Sequence, residues 1–297
     1  MNKLKSCFLL AMGVVSVSIL RAQEDMPVLA TAHYNFIYVN DTTQRSKYHE
    51  EEMILYIAKD ASLYESNAGK QVNEQLLKQA KDPAFDGNIT IVGRGSTNES
   101  YFVRPAEKIF KVVHKLGGRQ YLLDENYPEI NWKIGQETKT IGGYTCQRAD
   151  MHFRGRDYTA WFTPDLPFSY GPWKLSGLPG LILEASDSRN EVVFHYVGFD
   201  KVSGGELVFG LPSDLIVTEK SAFLNLQEAF KKNPQAVLKA GTEGKTASTP
   251  LVKGKRDDMS TQINQVIDPS KIKSINILKT DPERVSNVTN NPIELTD

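Results

Sequence analysis

Residues 144–153 hold a dense run of chemistry-bearing side chains, with Cys146, Arg148, Asp150 and His152 at every second position. Read as a β-strand, this run puts Tyr144, Cys146, Arg148, Asp150 and His152 on one face. Thr145, Gln147, Ala149, Met151 and Phe153 take the other. A cysteine and a histidine sharing a face suggest a thiol nucleophile or a soft-metal site. Their spacing opposes it: six residues at about 3.3 Å each separate Cys146 from His152 by about 20 Å on a regular strand. Unless a bulge or sharp bend intervenes, Cys146 needs a partner from elsewhere, such as His33, His114 or His195. Cys146 and His152 are thus candidate ligands only within an alternative reading, a periplasmic copper-type protein that also draws on Met151, His49 and Met53. The bland expectation for Cys146 is burial, because unpaired cysteine is among the most buried residue types.

A second constellation is basic and aromatic. Arg148, Arg154 and Arg156 lie close together around an expected hairpin tip, where guanidinium groups could grip a carboxylate or phosphate. Tyr158, Trp161 and Trp173 surround them and complete a candidate binding surface. The competing expectation is a solvated tip above a packed core. The five histidines include no pair at i,i+2 or i,i+4, and the chain has no H-E-x-x-H, C-x-x-C, G-x-S-x-G or P-loop. No catalytic residue and no cofactor is assigned.

The elements that must position these groups are mostly strands. Runs rich in β-branched and aromatic residues recur every ten to fifteen positions between Gly, Pro, Asn and Asp. They fall at 30–39, 53–57, 61–64, 89–92, 99–103, 108–114, 120–123, 129–134, 143–153, 157–163, 181–185, 191–199 and 271–278. Arg154-Gly155-Arg156 is the tight turn of the clearest hairpin. Residues 72–81 carry apolar residues at helical spacing, and a second helix is expected after an N-cap at Ser221, with a short third helix at 235–240. The composition of 241–261 predicts a flexible or exposed segment, and 290–297 an extended polar tail. The fold class expected is mainly β, a β-rich α+β arrangement: a strongly curved antiparallel sheet or open barrel with one or two packed helices.

Residues 1–23 form a signal-peptide pattern: Lys3 and Lys5, an apolar run from Cys7 to Leu20 too short to span a bilayer, then Arg21-Ala22-Gln23. Residues 24–297 are then one β-rich domain of an exported protein, placed in the periplasm, at the outer membrane or outside the cell. Removing the leader takes Lys3, Lys5 and Arg21 away from a formal charge of −1. The remaining charges are mixed, with no basic footprint for nucleic acid. No second long apolar run follows, so no integral membrane span is expected. Only Cys146 of the two cysteines survives processing, so burial rather than a disulfide must hold the fold.

Residues 171–183 read Gly-Pro-Trp-Lys-Leu-Ser-Gly-Leu-Pro-Gly-Leu-Ile-Leu. Upstream lie Gly143-Tyr144-Thr145-Cys146, Ala160-Trp161-Phe162-Thr163 and Pro167, and downstream Asn291-Pro292-Ile293-Glu294-Leu295. Together they resemble the GLPGLI family, exported proteins of Bacteroidetes and relatives, whose hexapeptide is intact at Gly177, Leu178, Pro179, Gly180, Leu181 and Ile182. The resemblance implies export, a β-rich fold and envelope biology, and carries over no catalytic residue. The motif, with Gly171 and Pro172 before it, has no titratable group or nucleophile, so a structural role is expected. Leu178-Pro179-Gly180-Leu181 suits a type II turn with positive φ at Gly180, Gly177 a close backbone approach, and Leu181-Ile182-Leu183 a strand covered on both faces.

The leading functional expectation is a non-enzymatic envelope protein that binds a small hydrophobic or peptide ligand, or a component of outer-membrane transport. It predicts an apolar concavity near Trp161 and Trp173. The alternatives are the metal-handling protein above and a hydrolase with an unrecognised site.

Overall fold

The computed structural model describes residues 25–93, 97–203, 205–233, 235, 249–254, 272–279 and 288–295. The leader at 1–23, the short helix expected at 235–240 apart from residue 235, and most of 241–261 lie outside the described residues.

Four strands come first: β1 (Met26–Pro27), β2 (Ala30–Tyr38), β3 (His49–Ile57) and β4 (Ser62–Ser66). Helix α1 (Ala68–Ala80) follows, then β5 (Asn88–Gly93), β6 (Glu99–Arg104), β7 (Ile109–Leu116) and β8 (Arg119–Glu125). A second series is β9 (Lys133–Ile141), β10 (Tyr144–Phe153), β11 (Arg156–Thr163), β12 (Leu181–Asp187), β13 (Val192–Lys201), β14 (Leu207–Phe209) and β15 (Ile216–Val217). Helix α2 (Lys220–Lys232), β16 (Val252–Gly254) and β17 (Ser274–Lys279) complete the described elements.

Twelve strands form one sheet in the order β15-β8-β7-β6-β4-β3-β2-β13-β12-β11-β10-β9. Two meanders, β2 to β8 and β9 to β13, are zipped together where β13 runs antiparallel to β2, from Val192 opposite Tyr38 to Lys201 opposite Ala30. Curvature follows from chain length. Residues 126–132 carry the chain from β8 to β9, ten strand positions away. A flat sheet would put those strands about 48 Å apart at ~4.8 Å per step. The linker spans at most about 28 Å when fully extended. The sheet is therefore strongly curled, as expected, but it is not closed into a barrel: β9 and β15 remain separate edges.

Alternation along the strands sends side chains to two cores. Tyr34, Phe36, Met53 and Leu55 face inward with Phe162 and Phe194. Ile54, Tyr56, Leu63 and Phe102 face outward and are covered by Met26, Phe209 and Leu251 from the small sheet β1-β14-β16. The described part of 241–261 thus departs from an exposed loop: Leu251 is buried and residues 252–254 pair with β14. Leu251, with Val252 packed beside it, anchors a segment whose average composition is polar.

Three boundaries also move. The strand expected at 129–134 is Lys133–Ile141, because Trp132 turns inward and donates from Nε1 to the Ser176 carbonyl (2.8 Å). Helix α2 starts one residue before Ser221, with Glu219 at the cap position and no side-chain capping bond. Helix α1 begins at Ala68, four residues before the apolar spacing starts.

Strand β5 is held in an unusual way. One edge pairs in parallel with β17. The other is satisfied by two glutamine side chains one helical turn apart on α1: Gln79 exchanges bonds with Thr90 N–H (2.9 Å) and C=O (2.8 Å), and Gln75 with those of Val92 (2.8 Å each). Each amide imitates a strand residue, offering one donor and one acceptor. Replacing both with leucine keeps helix propensity and strands four backbone groups. We expect a loss of about 2–6 kcal/mol, at ~0.5–1.5 kcal/mol per net hydrogen bond, in urea unfolding.

Candidate functional site

The hairpin β10–β11 does not gather its chemistry as strict alternation predicts. Pairing with β9 shifts register between Gln147 and Ala149, a β-bulge. The surplus residues belong to β9, which advances from Thr138 to Ile134 while β10 advances from Gln147 to Ala149, and the burial pattern of β10 changes phase there. Cys146 therefore shares the buried side with Ala149, Met151 and Phe153, while Arg148, Asp150 and His152 point outward. Cys146 and His152 lie on opposite faces, so the shared-face pairing fails for a reason invisible in the alternation. Cys146 is completely buried, its Sγ 3.6 Å from the Tyr144 carbonyl, and burial pushes its thiol pKa up to about 11. We expect no reaction with a thiol reagent at pH 8 in native protein and one equivalent after denaturation. His152 pairs with Asp157 at 2.7 Å. Among the described residues no three His, Cys, Asp or Glu side chains come together as metal ligands.

The three arginines separate as well. Arg148 lies on the outer face between Glu137 and Asp150, 3.0 Å from each. Trp161 is its cross-strand neighbour and carries Lys139 Nζ 4.5 Å above its ring. Arg154 occupies the exposed turn at φ 51°. Arg156 turns inward, its side chain only 2 % exposed. Tyr158 and Trp173 are buried beside it, their rings 6.3 Å apart. The candidate surface thus divides into an outer group, Arg148 and Trp161, and an inner group, Arg156, Tyr158 and Trp173.

The inner group is positioned by the segment between β11 and β12, which plugs the inner face of the sheet. Leu166, Tyr170, Trp173, Leu175 and Leu178 all join that core. The plug is tied down by Gly177 N–H to the Ser169 carbonyl (3.1 Å), Ile182 N–H to the Tyr170 carbonyl (3.0 Å) and Tyr34 Oη to the Ile182 carbonyl (2.7 Å). Gly180 has the positive φ expected of it, at 157°, but the expected close approach falls there too and not at Gly177. Gly177 has φ 91° and open space where a Cβ would stand, so it serves backbone conformation. A Cβ on Gly180 would lie 2.1 Å from the Thr163 carbonyl oxygen, so it serves close approach. The turn is tighter than type II, since Gly180 N–H bonds back to the Leu178 carbonyl (2.8 Å) across Pro179. Gly171 is also required by space, with a Cβ there 2.7 Å from the Leu175 carbonyl oxygen. Leu181, Ile182 and Leu183 are fully buried, as expected of a doubly covered strand.

Trp173 adopts φ 55°, a left-handed conformation costly for a bulky residue. The next residue, Lys174, is thereby delivered into a nearly buried position, with Nζ 2.7 Å from Glu125 and 2.6 Å from Glu294. Its ammonium also lies 5.4–6.0 Å from the ring centres of Phe110, Trp173 and Tyr101. Lys174, Glu125, Glu294, Trp173 and Tyr101 line a cleft of about 340 Å³ bounded by the plug, helix α2 and the C-terminal residues 289–294. Glu99 and His114 (Nδ1 to Oε1, 3.4 Å) line the same cleft, and Tyr101 donates to Glu99. The Phe223 ring closes over His114 with centres 4.5 Å apart. Burial lowers the His114 pKa and raises that of Tyr101 well above its ordinary value.

The C-terminal strap, residues 288–295, is the wall that sequence reading missed. Tyr38 Oη donates to the Asn291 carbonyl, Asn291 Nδ2 to the Val39 carbonyl (2.7 Å) and Leu295 N–H to the Arg154 carbonyl (3.0 Å). Arg156 binds the strap from beneath, braced by Asp187 (2.7 Å) and Glu191 (3.1 Å). The outer-face pocket of about 480 Å³ between α1 and Glu50, Glu51 and Glu52 has no aromatic wall. Its buried carboxylate is already matched by His49, Ser66 and Thr97. The signals available for the inner site were Lys174 inside the motif and Asn291-Pro292 near the end.

No curated protein matches this chain. It is similar to two crystal structures of PNGF-II, in different space groups, at 15 % and 17 % identity with TM-scores of 0.43 and 0.44. The matches cover 67 % and 71 % of this chain but 32 % and 33 % of those chains, so it spans about a third of their length. Residues 153–184, the return strand of the hairpin and the whole plug, match the model of a family described as protein of unknown function (Porph_ging).

Proposed function

We propose that this is an exported, non-enzymatic binding protein of the GLPGLI type, an accessory of the cell envelope or of outer-membrane transport. Its small apolar or peptide ligand seats in the cleft over Trp173 and Lys174. The observation that carries this reading is the cleft itself: aromatic walls around one nearly buried, strain-positioned lysine. Its volume of about 340 Å³ falls within the ordinary range of ligand sites, and its wall mixes aromatic rings with charged groups, Glu99, His114, Glu125, Lys174 and Glu294 among them. The intact hexapeptide within the family-matched stretch supports the GLPGLI assignment. Among the described residues no helix is long and apolar enough to cross a membrane.

Native and denaturing mass spectrometry of protein purified gently from an envelope extract tests the proposal. A discrete mass lost on denaturation, and absent from a Lys174→Met variant, is the expected result. A bare mass from both proteins at every extract concentration would contradict it.

A hydrolytic reading has one observation in its favour, His114 held by Glu99 in the same cleft with burial lowering the imidazole pKa. Turnover of ester or amide substrates that disappears in His114→Gln would establish it in place of the binding reading.

A further inference from the structure

Arginine carries five N–H donors in a fixed planar fork. In Arg156 all five have acceptors. Nη1 donates to Asp187 (2.7 Å) and Glu191 (3.1 Å). Nη2 donates to Asn291 Oδ1 (2.6 Å) and the Pro292 carbonyl (2.8 Å), and Nε to the Ile293 carbonyl (2.9 Å). The two carboxylates belong to the body of the fold and hold the guanidinium in place. The other three acceptors belong to consecutive strap residues, two of them main-chain carbonyls. Reading an extended segment through its backbone, with side-chain selection at chosen positions, is how proteins recognise peptides.

Selection is visible at four positions. Asn291 must be both donor and acceptor: Nδ2 gives to the Val39 carbonyl (2.7 Å) and Glu191 (3.0 Å), while Oδ1 takes from Arg156. Pro292 has no N–H to satisfy and presets an extended approach. Ile293 packs against the inner core. Glu294 reaches Lys174 (2.6 Å). The receiving atoms come from the end of β2, the β10–β11 turn, the plug and the loop before β13, elements paired with one another without the strap. Lifting the strap would take away the acceptors of three guanidinium donors, which water or another carbonyl-bearing segment must then replace, and this makes the seat acceptor-seeking.

We propose that this seat is a peptide-binding site. The chain's own residues 288–295 fill it in cis, and in trans it takes an extended segment of the same chemistry: asparagine-proline, then an apolar and an acidic residue. The proposal builds on the cleft as a binding site, because the strap forms one wall of it.

The test uses the full chain with a specific protease site placed within residues 280–287 and cut only after folding. Native mass spectrometry then follows replacement of the severed tail by an isotopically labelled synthetic peptide of residues 288–297. The expected result is a 1:1 complex in which the labelled peptide displaces the tail. A peptide with Asn291→Asp should compete about tenfold or more weakly, since a carboxylate would oppose Glu191 and lack both donors. The washed, tail-free body should keep its near-ultraviolet circular dichroism. Absence of exchange, or collapse of the body when the tail leaves, would overturn the proposal by making the strap an ordinary part of the fold. Mixing intact labelled and unlabelled chains separates the sources. Mixed dimers identify a second copy as the trans donor, and monomers alongside peptide binding identify another chain with the same motif. Failed exchange with a resident small molecule still present would overturn this inference alone and leave the binding function in place.

Discussion

Replacing Arg156 with glutamine should destabilise the protein by about 3–5 kcal/mol, the usual cost of stranding one side of a buried ion pair. Two carboxylates would be left behind with side chains 0–2 % exposed, Asp187 and Glu191. For a chain of this size the melting temperature should fall by roughly 6–20 °C. Arg156→Lys should recover only part of the loss, because one ammonium has three donors where the site uses five. Acid sensitivity should change with it. Burial alone would raise the Glu191 carboxyl, but hydrogen bonds from Arg156, Arg45 and Asn291 hold it below 4.5. A carboxylate depressed in the folded state stabilises above its unfolded pKa and loses that contribution as pH falls through the folded value. Native protein should therefore keep this contribution until pH drops below 4.5. In Arg156→Gln it should be smaller at neutral pH, since only Arg45 and Asn291 then hold the carboxylate. Urea midpoints from pH 7 to pH 3 check both statements, and a variant with an unchanged midpoint would rule out the ion pair as a structural lock.

The largest effect of all is expected at Gly180. A methyl group there would meet backbone atoms, 2.1 Å from Thr163 O, 2.6 Å from Thr163 C and 2.9 Å from Pro164 N. No side-chain rotation relieves a clash with backbone, so the plug must leave its place on the inner core. Gly180→Ala should cost about 4 kcal/mol or more, which takes most of a stability of about 5–15 kcal/mol and should leave little folded protein in the soluble fraction. Gly177→Ala is the control from the same motif. It meets no atom within 4 Å and bears only the strain of φ 91°, about 1–2 kcal/mol. Urea unfolding of the pair should rank Gly180→Ala far above Gly177→Ala. The reverse order would assign the motif's constraint to turn conformation instead of close approach.

That contrast shows where sequence reading succeeds and where it stops. Period-2 patterning located nearly every strand of both meanders, because alternating burial is a local property of a half-covered sheet. It could not show that β13 closes onto β2, since that pairing joins residues about 160 positions apart and leaves no local mark. It misjudged β10 because the register shift against β9 leaves no mark in composition, and burial there changes phase so that Cys146 is buried and His152 exposed. Pro179 and Gly180 announced a bend, but which glycine lacks room for a side chain depends on Thr163, a neighbour in space only. The inner site was half legible. Arg156, Tyr158 and Trp173 were singled out for their types and do come together. Arg148 and Trp161 were grouped with them and face the other way. Lys174, Glu191 and the strap were passed over because a buried lysine and a docked polar tail look, one residue at a time, like solvent-exposed ones.

Arg156 locks the strap over the Trp173–Lys174 cleft. Site-resolved amide hydrogen exchange on the intact chain tests this most directly. Three strap amides have backbone acceptors: Asn290 and Asn291 at the Asn40 carbonyl (3.0 and 3.2 Å) and Leu295 at the Arg154 carbonyl (3.0 Å). The prediction is that all three exchange far more slowly than in the free peptide, and that Arg156→Gln returns them together to near-peptide rates while Ala32 in the central pairing of β2 stays protected. Free-peptide rates at these amides in the unaltered protein would contradict the strap, the cleft wall it forms and the seat beneath it.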